Sequence, residues 1–267
     1  MSKKERIDVL LVKKGFIESR EKAKRCVMAG LVFNDNMRID KPGTKVAKDA
    51  NIILKGNPIP YVSRGGLKLE KALEEFPIDV KGKVSLDIGA STGGFTDCML
   101  QNGAKKVYAI DVGYGQLAWK IRNDDRVVTM ERTNIRYVKP EDIGELADFA
   151  TIDVSFISLE LVLPVAKKLT KENVDIIALI KPQFEAGREQ VGKKGVVRDS
   201  NVHREVLTKI YNLGKSLGLY IQNLSYSPVK GAEGNIEYLA HLKKKRNEKI
   251  DEGILIDNIV NASHSEL

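Results

Sequence analysis

Residues 84–96 read VSLDIGASTGGFT. The stretch opens as a short apolar strand, turns through Gly89, Gly93 and Gly94, and closes on residues that start a helix. Glycines let a backbone fold back tightly under a ligand at the carboxyl edge of a parallel sheet. A dinucleotide site shows GxGxxG, with a helix N-terminus receiving pyrophosphate. Here the glycines are spaced differently, and Asp87 stands just before the loop. A carboxylate there suits a cationic amino group or sulfonium better than a pyrophosphate, and S-adenosyl-L-methionine carries both. Asp111 closes the next strand 24 residues after Asp87, where an acid takes two ribose hydroxyls. The pattern favours that cofactor over a nicotinamide dinucleotide, with Gly89, Ser91, Thr92, Gly93 and Gly94 as its cradle. The competing reading is a plain tight turn flanked by surface acids.

Outward from this loop, residues 62–245 alternate apolar strands with helical patterns, which argues a mostly parallel sheet covered on both faces. Seven strands are expected, at 84–88, 106–111, 127–130, 149–153, 175–180, 219–225 and 236–241. The fold class is therefore α/β and Rossmann-like. After residue 246 comes a polar tail, expected to fray. The 267 residues hold such a domain plus a small module. Cys26 and Cys98 lie far apart, and His203, His241 and His264 show no ligand spacing, so no metal site is expected. No stretch approaches the roughly 20 apolar residues of a membrane span, and the N-terminal apolar run is too short for a signal peptide. A cytoplasmic protein with no membrane partner is expected.

Charge divides the chain unevenly. Residues 1–60 carry 14 Lys and Arg against 7 Asp and Glu, a net of +7, while the remaining residues carry 30 against 29. Such asymmetry points to a polyanionic partner, although a merely soluble basic face explains it too. Residues 5–12 form an apolar-periodic helix stopped by Gly15. Ser19 is the expected N-cap of a second helix, REKAKRCVMA, closed by Gly30. Arg20 and Lys24 share one face of that helix, with Arg25 beside them. LVFNDNMRI (31–39) reads as two strands around a turn, and KPGTKVAKDANIIL (41–54) as a further turn and strand. This order resembles the S-four RNA-binding domain, which implies that Arg20, Lys24 and Arg25 face RNA. GNPIPY at 56–61 reads as a stiff linker.

Two lysines sit where lysines are expensive. In SRGGLKLEKAL (63–73), a helical step of 100° places Lys68 at the flank of the face set by Leu69, Ala72, Leu73 and Phe76. The same step sends Lys71 round the back, into solvent. Lys68 is either a boundary lysine covering an apolar edge or an amine with a task. Lys181 ends the apolar strand 175–180, Asp153 ends the strand 149–153, and Glu237 lies on the late strand IEYL. The order Lys68, Asp153, Lys181, Glu237 resembles the Lys-Asp-Lys-Glu tetrad of the FtsJ-like ribose 2′-O-methyltransferases. With SRGGLKL, LDIGASTGGFTDCML, DVGYGQL, IDVSFISL and IKPQFEAG also present, the chain closely resembles the TlyA family from about residue 5 to 245. That family joins an S-four domain to an FtsJ-like domain.

The resemblance implies an S-adenosyl-L-methionine-dependent methyl transfer to a cytidine ribose 2′-hydroxyl in ribosomal RNA, of the large and also the small subunit. It implies ribosomal RNA or subunits as partners, and no obligate protein partner is expected. The chemistry asks for the same residues: the hydroxyl must be aimed and its proton removed. Lys181 is the expected base or alkoxide stabiliser, Lys68 and Glu237 tune it, and Asp153 holds it beside the methionine end of the cofactor. The competing reading of the four is a structural ion-pair network. Thr133 and Asn134 fall where the family places adenine contacts. Gly113 and Tyr114 either wall the adenosine or pack. Arg64 is placed on the RNA side. Phe184 is either a platform for a flipped base or core, and the loop 187–199 either closes over RNA or is simply solvated. Two further functions stand against the enzyme: a haemolysin, because the family carries that label, and an RNA-binding protein with an inactive methyltransferase module.

Overall fold

The computed structural model describes residues 4–17, 19–28, 30–55, 60–246 and 251–267. Most of the linker expected at 56–61 lies outside them. The chain divides into two units, Met1–Arg64 and Gly65–Leu267.

In the first unit, β1 (Lys4–Arg6) leads into α1 (Ile7–Lys13) and α2 (Arg20–Met28), followed by β2 (Val32–Asn34), β3 (Met37–Arg38), β4 (Lys45–Ala47) and β5 (Ile52–Leu54). Ser19 does cap α2: its Oγ accepts the Lys22 N–H at 3.3 Å. Both helices bury one stripe, Ile7, Leu10 and Leu11 from α1 and Ala23, Cys26 and Val27 from α2, around Val32 and Ile52 of the sheet β3-β2-β5. β1 pairs antiparallel with β4, a ladder of three residues too short to show as an alternating pattern.

The second unit contains α3 (Gly65–Glu75), β6 (Val84–Ile88), α4 (Gly94–Gln101), β7 (Lys106–Ile110), α5 (Trp119–Arg122), β8 (Val127–Met130), α6 (Pro140–Ile143) and β9 (Ala147–Ile152). It continues through α7 (Leu159–Lys168), β10 (Thr170–Ile180), α8 (Pro182–Glu185), α9 (Ser200–Ser216), β11 (Tyr220–Tyr226), β12 (Tyr238–Lys243) and α10 (Glu252–Glu266). Its seven strands run in the order β11-β12-β10-β9-β6-β7-β8. β12 is antiparallel to both neighbours, and the other paired strands are parallel. Every residue of β6 is buried, as is Val174–Ile180 of β10, because helices cover both faces. The chain leaves β6 toward β7 on one side and returns to β9 on the other. Ligands bind in the crevice that such a reversal opens at the carboxyl ends.

Three expectations are corrected here. Residues 251–267 of the expected tail do not fray: Asp251 caps α10 by accepting the Ile254 N–H at 3.1 Å, and Ile256, Val260 and Ser263 are buried. Glu237 is not within a strand, since β12 begins one residue later. Lys71 is not in open solvent: its Nζ lies 3.7 Å from the centre of the Tyr226 ring and 3.6 Å from Glu75, and its side chain is 17% exposed.

Candidate active site

The loop after β6 is shaped by close backbone approach. Gly89 has φ +88°, and a Cβ there would collide with the carbonyl of Asp153. The Asp153 N–H in turn donates to the Ile88 carbonyl at 2.9 Å, so the ends of β6 and β9 are locked side by side. Asp111 ties the loop to the end of β7: one of its oxygens accepts the Ser91 N–H at 2.8 Å, the other the Gly113 N–H at 2.7 Å. Between them opens a cleft of about 400 Å³. Gly89, Ser91, Asp111, Asn134, Asp153 and Phe156 line it, with Ile110, Ile135 and Ile157 among its apolar walls.

Not every cradle residue faces that cleft. Thr92 uses its carbonyl to accept the Ala118 N–H at 3.0 Å, Gly93 (φ +93°) precedes α4, and Gly94 is buried in its first turn. Asp87 lies behind the loop with no exposure, accepting from Thr96 Oγ1 at 2.6 Å and Thr151 Oγ1 at 3.1 Å. Burial pushes its carboxyl up to about 6, against the pull of those hydroxyls. Asn134 lines the cleft while its Oδ1 caps the following turn, accepting from the Arg136 N–H at 3.1 Å.

At one end of the cleft four charged side chains form a line. Glu237 Oε2 is 2.7 Å from Lys68 Nζ, which is 3.6 Å from Asp153 Oδ2, and Asp153 Oδ1 is 2.6 Å from Lys181 Nζ. Lys68, Lys181 and Glu237 are all under 10% exposed, so two cations and two carboxylates balance each other in a nearly dry place. Asp153 alone both lines the cleft and pairs with the lysines. α3 supplies Lys68 from the side that also buries Leu69 and Ala72, so its amine faces inward.

Three neighbours carry no signal in the sequence. Lys181 also donates to Ser155 Oγ at 3.0 Å, and Gln183 Nε2 donates to Glu237 Oε1 at 3.3 Å. Phe156 is 90% exposed and left-handed at φ +63°, its ring centre 5.0 Å from that of the half-buried Phe184.

Comparison with known proteins identifies the family. The FtsJ-like methyltransferase profile matches residues 61–244. The chain belongs to the FtsJ-like methyltransferase family. An S4 domain profile matches residues 5–52. A Bacillus subtilis protein provisionally named rRNA methyltransferase YqxC is 61% identical over 90% of this chain and 86% of its own. The 16S/23S rRNA (cytidine-2′-O)-methyltransferase TlyA of Mycobacterium tuberculosis is 42% identical over 94% of each chain. A solved structure from Streptococcus thermophilus, provisionally named a hemolysin, is 52% identical over 100% of this chain and 98% of its own, with a TM-score of 0.79.

Among the S4-domain cations, Arg20 Nε donates to Asp8 at 3.0 Å and Lys24 to Glu21 at 2.7 Å. Asp8 has no exposure, and hydrogen bonds, first from Arg6, hold its carboxyl down at about 2. Arg25 is half-buried and Arg64 exposed. No described helix is long and apolar enough to cross a membrane.

Proposed function

We propose that this FtsJ-like methyltransferase is a cytoplasmic enzyme that methylates the ribose 2′-hydroxyl of cytidine in ribosomal RNA, of the large subunit first. The observation that carries the reading is the buried line Glu237–Lys68–Asp153–Lys181, whose carboxylate Asp153 also lines the cleft. The cleft fits S-adenosyl-L-methionine. Its isoleucine walls suit an adenine ring, Asp111 keeps lone pairs for ribose hydroxyls, and Asp153 offers a carboxylate to an ammonium. Asp87 supports the loop from behind through Thr96 and Thr151.

When bound, that cofactor supplies a methyl carbon already activated by a sulfonium. The chain has to aim the hydroxyl and take its proton. Lys181 Nζ, after shedding its own proton to solvent, would take the hydroxyl proton, and Asp153 at 2.6 Å would hold the ammonium that is restored. Lys68 and Glu237 fix Asp153 from the other side. Phe156, exposed beside this point, stacks the extruded base, with Phe184 as its backing. The S4 domain carries nearly all the excess positive charge and docks the RNA.

Mapping 2′-O-methylation in ribosomal RNA from cells with and without the protein tests the proposal. One or more cytidines should lose the mark, and complementation with Lys181→Ala should leave it absent. An unchanged methylation map would refute the reading.

A further inference from the structure

The segment between α8 and α9 carries Arg188, Lys193, Lys194 and Arg198, all exposed. None of the four side chains takes a partner among the described residues. Two carboxylates share the segment, Glu189 and Asp199, and the second is occupied capping α9, where it accepts the Asn201 N–H at 2.8 Å. The segment thus keeps an excess of unpaired cations on a unit whose overall charge is close to neutral.

This segment is held in a defined shape. Asn235, 2% exposed, clamps it with both ends of its amide: Nδ2 donates to the Gly195 carbonyl at 2.9 Å and Oδ1 accepts the Val197 N–H at 3.1 Å. His203, fully buried, lies 3.1 Å from the Val197 carbonyl. Lys194 is held left-handed at φ +68°, a conformation that favours glycine and costs about 1 kcal/mol. A buried amide and a strained lysine are a poor design for an idle surface loop. Lys193, Lys194 and Arg198 border a depression of about 500 Å³.

The clamp also reaches the catalytic line. Asn235 stands two residues before Glu237, and its carbonyl accepts the Gly231 N–H at 2.8 Å. Gly231 packs so closely on Glu237 that a Cβ there would collide with Oε1.

We propose that residues 188–198 form an RNA-backbone grip on the catalytic unit, tied through Asn235 to Glu237. It rests on the reading that RNA is the substrate, and adds a second phosphate-binding surface to that of the S4 domain. Unpaired cations on a rigid, open loop suit the evenly spaced phosphates of a strand, because neither partner loses much freedom on binding. Fixing the strand by a loop anchored beside Glu237 places substrate and catalytic line in one frame.

The test uses the full chain with Lys193→Gln and Lys194→Gly together, binding a large-subunit rRNA fragment that the wild type binds. Loss of two phosphate contacts lowers the slope of log affinity against log salt by about 1.4 to 1.8, and weakens binding about thirtyfold at roughly 0.1 M salt. Cofactor affinity stays unchanged, and the melting temperature is equal or higher, because glycine relieves the left-handed position. An unchanged slope with unchanged affinity overturns the grip. Asn235→Ala should lower turnover at saturating RNA at least tenfold, and wild-type turnover there overturns the tie to Glu237. If the wild type methylates no ribose, the substrate reading falls, whereas the grip is judged on the slope alone.

Discussion

Replacing Lys68 by methionine keeps most of the aliphatic volume and removes only the ammonium. Glu237 is then left 2% exposed with a single long hydrogen bond, from Gln183 at 3.3 Å. Stranding a buried carboxylate costs about 3–5 kcal/mol, and the lower figure applies because Lys181 still neutralises Asp153. At about 2–4 °C per kcal/mol for a unit of this size, melting should fall by roughly 6–12 °C. Adding Glu237→Gln removes the stranded charge, so the double variant should recover to within about 1 kcal/mol of wild type.

Activity should not follow stability. Single-turnover methylation with saturating cofactor should be down about a hundredfold or more in Lys68→Met, and equally in the stabilised double variant. Lys68→Arg should also fail, because a guanidinium cannot replace a compact ammonium between two carboxylates. A lysine that merely covers an apolar edge predicts the reverse: Lys68→Met melting and turning over like wild type. An active Lys68→Met enzyme would sink the catalytic reading of the line.

Asp87 gives a pH test. Its carboxyl at about 6 lies above the unfolded value near 4, so the unfolded chain loses that proton first, and this group's destabilisation grows as pH rises from about 4 to about 6. Asp87→Asn should therefore gain up to about 3 kcal/mol over wild type above pH 6 and nothing at pH 4, read as the difference between paired thermal melts; a constant difference would refute the assignment. Phe156→Gly should leave the fold intact or slightly firmer, since φ is positive there, while methylation falls about ten- to a hundredfold from lost stacking. Retained turnover in that variant would move the base platform elsewhere. Gln or Ser at Arg25 and Arg64 should each lower the salt slope of RNA binding by about 0.7–0.9, which titration across salt measures directly.

The elements that proved readable are those whose cause is local. β6 and its loop follow from an apolar run and from Gly89 and Gly93, which supply the positive φ of the turn, and the parallel strands follow from burial on both faces. What stayed hidden depends on distant partners. Lys71 leaves solvent because Tyr226, far along the chain, offers its ring, which no helical projection contains. α10 buries only a narrow stripe on a helix rich in Asn, Ser and acids, so its composition imitates a tail. Phe156 depends on a backbone angle that phenylalanine seldom adopts, and Asp87, expected as a cofactor contact, is fully buried because Thr96 and Thr151 close over it.

How Lys68 reaches Lys181 cannot be read from the order of the four residues. Two amines placed together would repel, and repulsion alone would free one of its proton. In the structure Asp153 stands between them and gives each lysine its own oxygen, Oδ2 to Lys68 and Oδ1 to Lys181. In the proposed mechanism Lys68 therefore acts on Lys181 by fixing and partly neutralising that carboxylate, and Glu237 acts on Lys68 in the same way. Influence passed along such a line is lost once its last member is gone. Lys68→Met combined with Lys181→Ala should then be barely slower than Lys181→Ala alone, in single turnover at saturating cofactor and RNA. If the double variant loses the full factor of Lys68→Met again, the lysines work independently and the line is not a unit.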